Sequence, residues 1–582
     1  MAQHQPIVQL YKSLLAESIA AKGNASKKSR LLSAARLVCF AIAAAGVFAF
    51  AKTQSTAWLG AAIAFSISFV ALAVTHSRLI IRIRHTNDRI SVLQNEIDCM
   101  ALNPTTYDDG GTFKKLLPFA DDLDLFGKKS LFHLINRCRT QQGQTALAKG
   151  FIETETSHVT IAEKQEAIKE LSQKNEFRIE SLTRLFGIES DKTVEPKPLE
   201  ISTFLQTARW AYPVASIAAI VFFAFTMNFI PMLACFFFAW ITAYRFSATT
   251  SQCSAEAESL YKQLSVFEDI MGNGTQFKSD VLNKIKAIQT ESASETKKLG
   301  KIQASFEKRE NLLWISLSNI LFLNDLHLIK QYHDWTIRNS TQTKLWSANI
   351  ADFEKLLSYA CFAANNPEYA YPTFTDSLHI EGKNLRHPLI VKDLAIGNDI
   401  QLGPSPRFML ITGSNMSGKS TWLRTVGINA ILAQTGMPVC ADSLIIRPMT
   451  VLSSLRQSDS LAESTSLFMN ELNELSHIIN KVKADTPCLV LLDEILRGTN
   501  SDDKYTGSLA VARKLASSNS ITIMATHDLK LGELEESEPE AFTNHCFESK
   551  VEDGQLLFDY RIRKGVATNR NATWLMKKMG IV

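Results

Sequence analysis

The stretch Gly413-Ser-Asn-Met-Ser-Gly-Lys-Ser-Thr421 decides the fold of this chain. The apolar run at residues 407–412 before it predicts a buried strand, and the helical spacing of residues 422–435 after it predicts a helix. A glycine-rich turn between a strand and a helix directs backbone N–H groups and a helix N-terminus at one point, which suits a phosphate. A chance match is the alternative, but the flanking elements and a second motif downstream favour a nucleotide-binding domain.

Two side chains in this stretch carry the predicted chemistry. Lys419 is expected to reach the β- and γ-phosphates of the nucleotide, and the Ser420 hydroxyl is expected to hold Mg²⁺. The whole turn is the predicted binding surface, and its candidate residues are Gly413, Ser414, Asn415, Met416, Ser417, Gly418, Lys419, Ser420 and Thr421.

A second motif follows at Leu489-Val-Leu-Leu-Asp-Glu494. Its four apolar residues predict a strand, so Asp493 comes at a carboxyl end, where a carboxylate orders the water shell of Mg²⁺. Glu494 is then predicted to polarise the attacking water as a general base. An acidic pair on the surface after a core strand is the structural alternative.

A third strand, predicted over residues 521–525, leads into the turn Ala525-Thr-His-Asp528. In an open parallel sheet, functional groups gather at the carboxyl ends of the strands, so this strand would deliver His527 to the same edge as Asp493. We favour a role for His527 as a sensor of the γ-phosphate over a purely structural role.

The residues around these motifs resemble the MutS family of ATPases. The segments that carry the resemblance are Asn415-Met416, Arg497-Gly-Thr-Asn500, Leu385-Arg-His-Pro388 and Asn398-Asp-Ile400. His387, in the third of these, is a candidate nucleotide-binding residue. The resemblance implies a P-loop ATPase domain that uses ATP and Mg²⁺.

Two further segments, Ser458-Asp-Ser-Leu-Ala462 and Ser466-Leu-Phe-Met-Asn-Glu471, are similar to the family's signature segment. In the family this segment reaches across a dimer and completes the neighbour's site. The resemblance therefore implies a homodimer through the ATPase domains, with Ser466 facing the other subunit's γ-phosphate. The chain departs from the family at Glu463-Ser-Thr465, where a small residue, Gly and Arg are usual. A segment that merely caps the following helix is the alternative.

A looser resemblance to the MutS core, or lever, domain extends over the region from about residue 120 to residue 375. The segments that carry it are Asp122-Leu-Asp-Leu-Phe-Gly127, Thr140-Gln-Gln-Gly143, Tyr371-Pro-Thr-Phe374 and residues 130–136, 163–171 and 352–363. The family resemblance also implies DNA as a partner and a role like that of mismatch repair. The family's mismatch-reading domain, with its Phe-x-Glu wedge, has no counterpart ahead of Asp121, so mismatch recognition in the usual way is not expected.

Four uncharged apolar runs form two pairs, at residues 37–51 and 58–74 and at residues 212–229 and 232–244. With their flanks they reach the length of about 20 residues that spans a bilayer. We predict two transmembrane hairpins, and core helices of a large soluble domain are the alternative. Basic residues flank the outer ends of both hairpins, at Lys27, Lys28, Arg30, Arg36, Arg78, Arg82, Arg84, Arg209 and Arg245.

These charges predict the orientation, because the positive-inside rule places both ends of each hairpin in the cytoplasm. We expect a multi-pass protein of the inner or plasma membrane that contacts lipid through four transmembrane helices and has cytoplasmic soluble domains. A cleavable signal peptide is not expected, because the first apolar run starts late and lacks a small-x-small site before a soluble domain.

Residues 254–349 have steady apolar spacing among Glu and Lys and one Gly-Asn-Gly break at 272–274, which predicts long helices paired antiparallel. The resemblance makes these helices levers and a clamp that close around DNA, and a plain structural bundle is the alternative. The lysines of this stretch alternate with acidic residues, so a solvated helix face is favoured over a surface that tracks phosphates.

The predicted fold class is an α/β P-loop NTPase, of the ABC-like type found at the C-terminus of MutS, preceded by an all-α lever or core domain with two inserted transmembrane hairpins. The predicted parts are an N-terminal cytoplasmic segment (1–30), transmembrane hairpin 1 (31–84), a linker helix (85–120), the first part of the core domain (121–208), transmembrane hairpin 2 (209–246), the helical lever, clamp and return helix (247–374) and the ATPase domain (375–582).

Composition adds little to these motifs. A formal net charge of +4 over 582 residues does not by itself argue for nucleic acid. Nine cysteines without a Cys-x-x-Cys pattern are expected to be reduced and mostly buried. No metal site is expected besides the Mg²⁺ of the nucleotide.

Three functions fit these observations. The leading hypothesis is a membrane-integral MutS-like ATPase that hydrolyses ATP at a dimeric composite site and couples this cycle to DNA binding. An ABC-type transporter ATPase is disfavoured, because four helices make a thin path and no charge within the apolar runs marks a route. A nucleotide-controlled membrane scaffold without DNA binding is disfavoured, because the full set of catalytic candidates is present.

Overall fold

A computed structural model describes residues 4–116, 119–153, 155, 157–188, 203–272, 274, 276–414, 416–455, 467–482, 486–552 and 555–568. The helices in this part of the chain are α1 (His4–Thr53), α2 (Thr56–Met100), α3 (Leu131–Ile135), α4 (Gln141–Ile152), α5 (His158–Gln173), α6 (Asn175–Phe186), α7 (Thr203–Thr226), α8 (Ile230–Gly272), α9 (Asp280–Glu307), α10 (Leu312–Phe322), α11 (Asn324–Arg338), α12 (Ser340–Asn365), α13 (Lys419–Gln434), α14 (Leu467–Val482), α15 (Ser501–Ala516) and α16 (Glu533–Ser537). The strands are β1 (Thr373–Phe374), β2 (Ile380–Leu385), β3 (Asn398–Leu402), β4 (Phe408–Gly413), β5 (Ser443–Ile446), β6 (Thr450–Ser454), β7 (Cys488–Asp493), β8 (Ser520–Thr526), β9 (Phe542–Glu552) and β10 (Gln555–Lys564).

The chain divides into two compact units. The first comprises Met1–Arg137, Thr145–Thr183 and Lys355–Val582, and the second comprises Cys138–Gln144 and Arg184–Glu354. Among the described residues, four helices are long and apolar enough to cross a membrane. Two of them, α1 and α2, belong to the first unit, and the other two, α7 and α8, belong to the second.

The first unit opens with an antiparallel hairpin of α1 and α2. Near the tip, the rings of Phe40 and Phe69 lie 6.0 Å apart, and further from the tip Ser29 Oγ lies 2.9 Å from His76 Nε2. Both helices extend well beyond the apolar runs. The predicted boundary between hairpin 1 and a linker helix at residue 85 therefore falls inside α2, which continues unbroken to Met100 because its composition changes there without a helix-breaking residue.

A buried polar cluster, which we call the foot network, joins the open end of this hairpin to the rest of the first unit. Its members are Tyr11, Glu96, Arg137, Arg178 and Asn365. Both carboxylate oxygens of Glu96 accept hydrogen bonds from the Arg137 guanidinium, and Asn365 Nδ2 donates to Glu96 Oε2 at 2.7 Å. The Tyr11 hydroxyl donates to Asn365 Oδ1 at 3.0 Å and accepts from Arg178 at 3.0 Å. The network thereby ties α1 and α2 to α6 and α12.

The first unit also holds a six-stranded sheet of order β10-β9-β4-β8-β7-β6, in which every neighbouring pair is parallel except β10 and β9. All residues of β4 and β8 are buried, which is why these strands read as continuous apolar runs in the sequence. Helices α14 and α15 pack on one face, and α13 packs on the other, where its Gly427 lies against Leu491. A smaller sheet has the order β1-β5-β2-β3.

The second unit contains a hairpin of α7 and α8 and a set of helices that continue from it. As predicted, α8 ends at Gly272 and pairs antiparallel with α9, since Gly300 lies against the Tyr261 ring and Gln289 Nε2 donates to Leu264 O. The predicted single break is an underestimate, because the chain breaks again near Asn311, Leu323 and Asn339. Asn311 caps α10 by accepting a hydrogen bond from Trp314 N at 3.2 Å, a local signal for a helix start.

Candidate active site

The predicted phosphate-binding turn lies between β4 and α13. Gly418 immediately precedes α13 with a φ of +106°, a conformation that favours glycine, and no side chain caps the helix there. A Cβ atom at Gly413 would lie 2.7 Å from the Phe547 carbonyl oxygen, so this position also excludes a side chain. The first N–H groups of α13 therefore have no side-chain cap, and an anion could accept their hydrogen bonds.

Lys419, the first residue of α13, is buried beneath this turn. Its Nζ donates to the carbonyl oxygens of Gly413 at 2.8 Å and Ser414 at 3.0 Å. Burial lowers the pKa of the Lys419 ammonium, and the carboxylates of Glu494 and Asp493 act in the opposite direction. The turn itself therefore positions the Lys419 ammonium through two of its carbonyl oxygens. A phosphate oxygen could replace one of these carbonyls as a hydrogen-bond acceptor.

Asp493 ends β7 and meets the second residue of α13. Its Oδ2 accepts a hydrogen bond from Ser420 Oγ, and burial raises the pKa of the Asp493 carboxyl. Its Oδ1 is buried and has no hydrogen-bond partner among the described residues, and the same is true of Ser417 Oγ. Buried polar groups are normally paired, so these two oxygens indicate a position for a ligand. A hydroxyl and a carboxylate are ligands that Mg²⁺ accepts, and the residues present therefore fit this ion.

Glu494, the next residue, sits in a strained backbone conformation with a φ of +49°. Its N–H donates to Ala525 O at 2.9 Å, which continues the pairing of β7 with β8. Its Oε1 lies 2.6 Å from His527 Nε2, and its Oε2 lies 3.0 Å from the Arg497 guanidinium. The hydrogen bond from His527 lowers the pKa of Glu494, so the carboxylate stays ionised and aimed by two partners.

Strand order explains why these residues meet. β8 lies between β4 and β7, with Thr412 opposite Thr526 and Asp493 opposite Ala525. The carboxyl ends of all three strands consequently share one edge of the sheet. The sequence prediction that Lys419, Asp493, Glu494 and His527 converge at this edge agrees with the geometry.

Two residues at this edge were not assigned a role from the sequence. Arg497 appeared only as part of a family-like segment, and its contact with Glu494 requires the turn that follows β7. Glu471, on α14, is buried and accepts a hydrogen bond from Leu496 N, and burial raises its pKa. Glu471 thereby fixes the turn that carries Arg497. A buried carboxylate opposite a backbone N–H leaves no pattern along the chain that sequence reasoning can use.

Asp122, in the segment that resembles the start of the core domain, forms hydrogen bonds with two elements next to the site, α13 and the end of β6. Its Oδ2 accepts hydrogen bonds from Ser453 Oγ and Leu455 N, both at 2.9 Å, at the end of β6. Arg424 of α13 donates to the Asp122 carbonyl at 2.8 Å. Asp122 therefore links α13 to the end of β6.

Three further predicted residues are Asn415, Ser466 and His387. Asn415 and Ser466 lie outside the described residues. His387 is buried, which lowers its pKa to about 4, and its Nδ1 lies 3.3 Å from Leu389 N. The charged groups that act on it are Asp124 and Arg424, and neither belongs to the phosphate-binding turn.

The residues at this edge of the sheet lie within a segment that matches a known protein family. Residues 409–578 match the family model of MutS domain V, a P-loop ATPase domain. The match begins at the second residue of β4 and includes the phosphate-binding turn, Asp493, Glu494 and His527. The MutS family comprises ATPases that bind DNA.

Proposed function

We propose that this chain is a membrane-integral ATPase of the MutS family that binds and hydrolyses ATP with Mg²⁺, and the match of residues 409–578 to MutS domain V supports the proposal. The observation that carries the proposal is the convergence of Lys419, the Ser420–Asp493 pair and the Glu494–His527 pair at one sheet edge. Each group has a distinct task in phosphoryl transfer to water.

The turn at residues 413–421 would bind the phosphates through backbone N–H groups, and Lys419 would exchange its carbonyl partners for phosphate oxygens. Ser420 and Asp493 would hold Mg²⁺, which neutralises charge that develops on the phosphates. The free Asp493 Oδ1 is the oxygen available to the water shell of that ion. Ser420 Oγ already donates a hydrogen bond to Asp493 Oδ2, so the two side chains that would hold the ion are adjacent.

Glu494 would accept the proton of the attacking water, since it is ionised and held at the end of β7. His527 would hold Glu494 in place through Nε2. It would act as a sensor of the γ-phosphate by giving up this bond to Glu494 for one to a phosphate oxygen. Arg497 would fix the second carboxylate oxygen. In this proposal Glu494 transfers the proton, and His527 and Arg497 position its carboxylate.

We further propose that the active form is a homodimer in which Ser466 completes the partner's site. The test mixes two inactive variants. Lys419→Ala disables its own phosphate-binding turn, and Ser466→Arg disables the site of the partner. A mixed dimer contains one intact site, so ATP hydrolysis should recover on mixing. If both variants are folded and form mixed dimers without recovery, the composite site is wrong.

The membrane part of the proposal has both hairpins spanning a bilayer with their ends in the cytoplasm. Its support is the length and apolar composition of α1, α2, α7 and α8, together with the basic residues at the outer ends of both hairpins. In this arrangement the ATPase domain has access to cytoplasmic nucleotide.

We propose that the ATPase cycle is coupled to DNA through the helical levers of residues 247–374. The test is ATP hydrolysis by the detergent-purified full chain with linear, mismatched and branched DNA and without DNA. Glu494→Gln protein purified in the same way controls for contaminating ATPases. A change in rate with any DNA supports the coupling, and the ranking of the DNAs identifies the structure that is bound. A robust rate that no DNA alters overturns the coupling and leaves the ATPase assignment standing.

A further inference from the structure

Helix α10 differs from the other helices of the second unit in having no charged residue between Asn311 and Leu323. With 11 residues it is too short to span a bilayer, and a segment of this length is a core helix or a re-entrant one. It is not a core helix, because Trp314, Leu317 and Phe322 are exposed. An apolar surface of this kind on a helix without a charged face requires a partner.

The helix packs on the hairpin of α7 and α8. Leu323, directly after α10, belongs to a buried apolar cluster with Tyr212 of α7 and Ala239 of α8. Tyr212 and Ala239 both lie within the apolar runs predicted to cross the membrane. The C-terminal end of α10 is thus held at a level of the hairpin that lies inside these runs.

Two carbonyls at the C-terminal end of α10 have hydroxyl partners on α7. The last carbonyls of a helix have no partner within the helix. Here the Tyr212 hydroxyl lies 2.7 Å from Ile320 O and the Ser216 hydroxyl lies 2.8 Å from Leu321 O, and each also lies 2.9 Å from a second carbonyl, Cys235 O and Pro213 O respectively. Within a bilayer a broken helix is tolerated only where neighbouring groups pair its carbonyls in this way.

A third carbonyl in this region follows the same pattern. Pro213 in α7 has no N–H, so the carbonyl of Arg209 loses its helical partner. His327 Nε2 of α11 lies 3.1 Å from that oxygen. Before Leu323, two carbonyls of α10 accept hydrogen bonds from α7, and after it His327 bonds to a carbonyl of α7. At a soluble surface water would form these hydrogen bonds.

Both ends of α10 connect to polar helices that lie together. Trp335 Nε1 of α11 donates to Glu295 Oε2 of α9 at 3.0 Å, and the rings of Phe306 and Tyr332 lie 6.4 Å apart. Arg309 before α10 and Asp325 after it form an ion pair at 2.9 Å. Because the charged residues at both ends of α10 pair with each other and the polar helices beyond them lie together, both ends of α10 would lie on the same side of a membrane.

We infer that α10 is a re-entrant membrane segment that enters beside α7 and α8 from the cytoplasmic side and exposes Trp314, Leu317 and Phe322 to lipid acyl chains. The inference rests on the proposed membrane insertion of the α7–α8 hairpin. Lipid is the occupant because α10 adjoins helices whose own apolar residues, such as Ile217 and Phe237, are exposed. Since α10 joins α9 to α11, any movement of these helices during an ATPase cycle would move a group embedded in lipid.

Nitroxide labels on the full chain in phosphatidylcholine vesicles test this. The background replaces Cys39 and Cys235, because the other seven cysteines are buried. Leu317→Cys (59 % exposed) is compared with Phe237→Cys on α8 (58 %) as the lipid reference and with Leu345→Cys on α12 (51 %) as the water reference. Trp314→Cys repeats the measurement if the first variant does not fold. Collisions with molecular oxygen report lipid, and collisions with a neutral nickel complex report water.

The label at Leu317 should show an oxygen-to-nickel ratio several-fold above that at Leu345 and close to that at Phe237. A ratio like that of Leu345, with Phe237 still in lipid, overturns the inference and leaves the hairpin in the membrane. Protection from both reagents means that protein covers α10 and likewise overturns it. Nickel access at Phe237 overturns the membrane insertion of the hairpin itself.

Discussion

The foot network and the catalytic edge of the sheet, where Lys419, Asp493, Glu494 and His527 meet, both contain buried charged side chains of the first unit. The two regions differ in how these charges are paired. In the foot network, Glu96, Arg137 and Asn365 satisfy one another. At the catalytic edge, Asp493 Oδ1 and Ser417 Oγ have no partner among the described residues. The difference teaches that a charged cluster which pairs internally specifies how helices join, and one which keeps free oxygens indicates a ligand.

The two regions should therefore fail differently when they are altered. A change at the catalytic edge should remove chemistry and leave the fold intact, because the edge is held by the sheet and by second-layer contacts such as that of Asp122. A change in the foot network should destabilise the fold, because it leaves a buried charge without its counter-ion.

The largest effect is expected from Glu494→Gln. Loss of the base should lower kcat by about 10²–10⁴-fold, the range for general base catalysis, while ATP binding is retained and the ATP-bound dimer accumulates. Steady-state hydrolysis, binding of a fluorescent ATP analogue and size-exclusion chromatography measure the three quantities. Normal turnover by this variant would show that another group accepts the proton.

Lys419→Ala should lower kcat/KM by about 10²–10³-fold, as expected when one preorganised charged donor is lost. It should also abolish detectable nucleotide binding at the altered site. The matched control is Lys481→Ala on the exposed side of α14, which should hydrolyse ATP at the normal rate. Equal losses in both variants would remove Lys419 from the site.

Arg137→Met should lower the free energy of unfolding by about 3–5 kcal/mol, since Glu96 would be left buried and unpaired. The KM for ATP of the folded protein should stay unchanged. The double variant Glu96→Leu/Arg137→Met should recover much of the lost stability because no unpaired charge remains. Denaturant unfolding followed by kinetics measures both. A shift in KM with unchanged stability would break the contrast between the two regions.

The smallest effect concerns pH. The pKa of Glu494 is lowered by the hydrogen bond from His527, so the base form is lost only as the pH falls through that lowered value. His527→Ala should raise this pKa and move the acid limb of kcat/KM to higher pH, with a loss of about tenfold or less at pH 7. His477→Ala on α14 is the control. An acid limb that stays in place would show that His527 does not set the ionisation of Glu494.

The placement of Lys419, Asp493 and His527 at one edge of the sheet could be predicted from the sequence because its signals are local. A buried parallel strand reads as an apolar run, and the chemistry follows each run at a fixed place, as at Asp493 and His527. Nothing local announces that Glu494 pairs with His527 or that Glu471 fixes the turn after it. Those contacts join β7, β8 and α14, and they depend on the order of strands in the sheet.

The helical part was predicted less completely, for a physical reason. The apolar spacing of residues 254–349 indicates helices, but it does not tell which apolar face is buried. Helix α10 therefore looked like one part of a long lever, and only its exposed Leu317 and its hydroxyl-bonded carbonyls distinguish it. The Asn311 cap was the one signal in the sequence that could have found the start of this helix.

The unbroken helices of the first hairpin also have a mechanical meaning. Twenty-six residues separate Tyr11 in the foot network from Leu37, where the first apolar run begins, and at 1.5 Å per residue they form a strut about 39 Å long. In the proposed membrane arrangement, a strut of fixed length would act as a spacer that sets the height of the ATPase domain above the bilayer. The strut also fixes which faces of the two helices meet, because one residue added to each helix would turn the segment beyond it by about 100° about its own axis. Seven residues added to each helix would restore the matching of these faces to within about 20° and lengthen the strut by about 10 Å, so the length can be varied while the packing of the hairpin is kept.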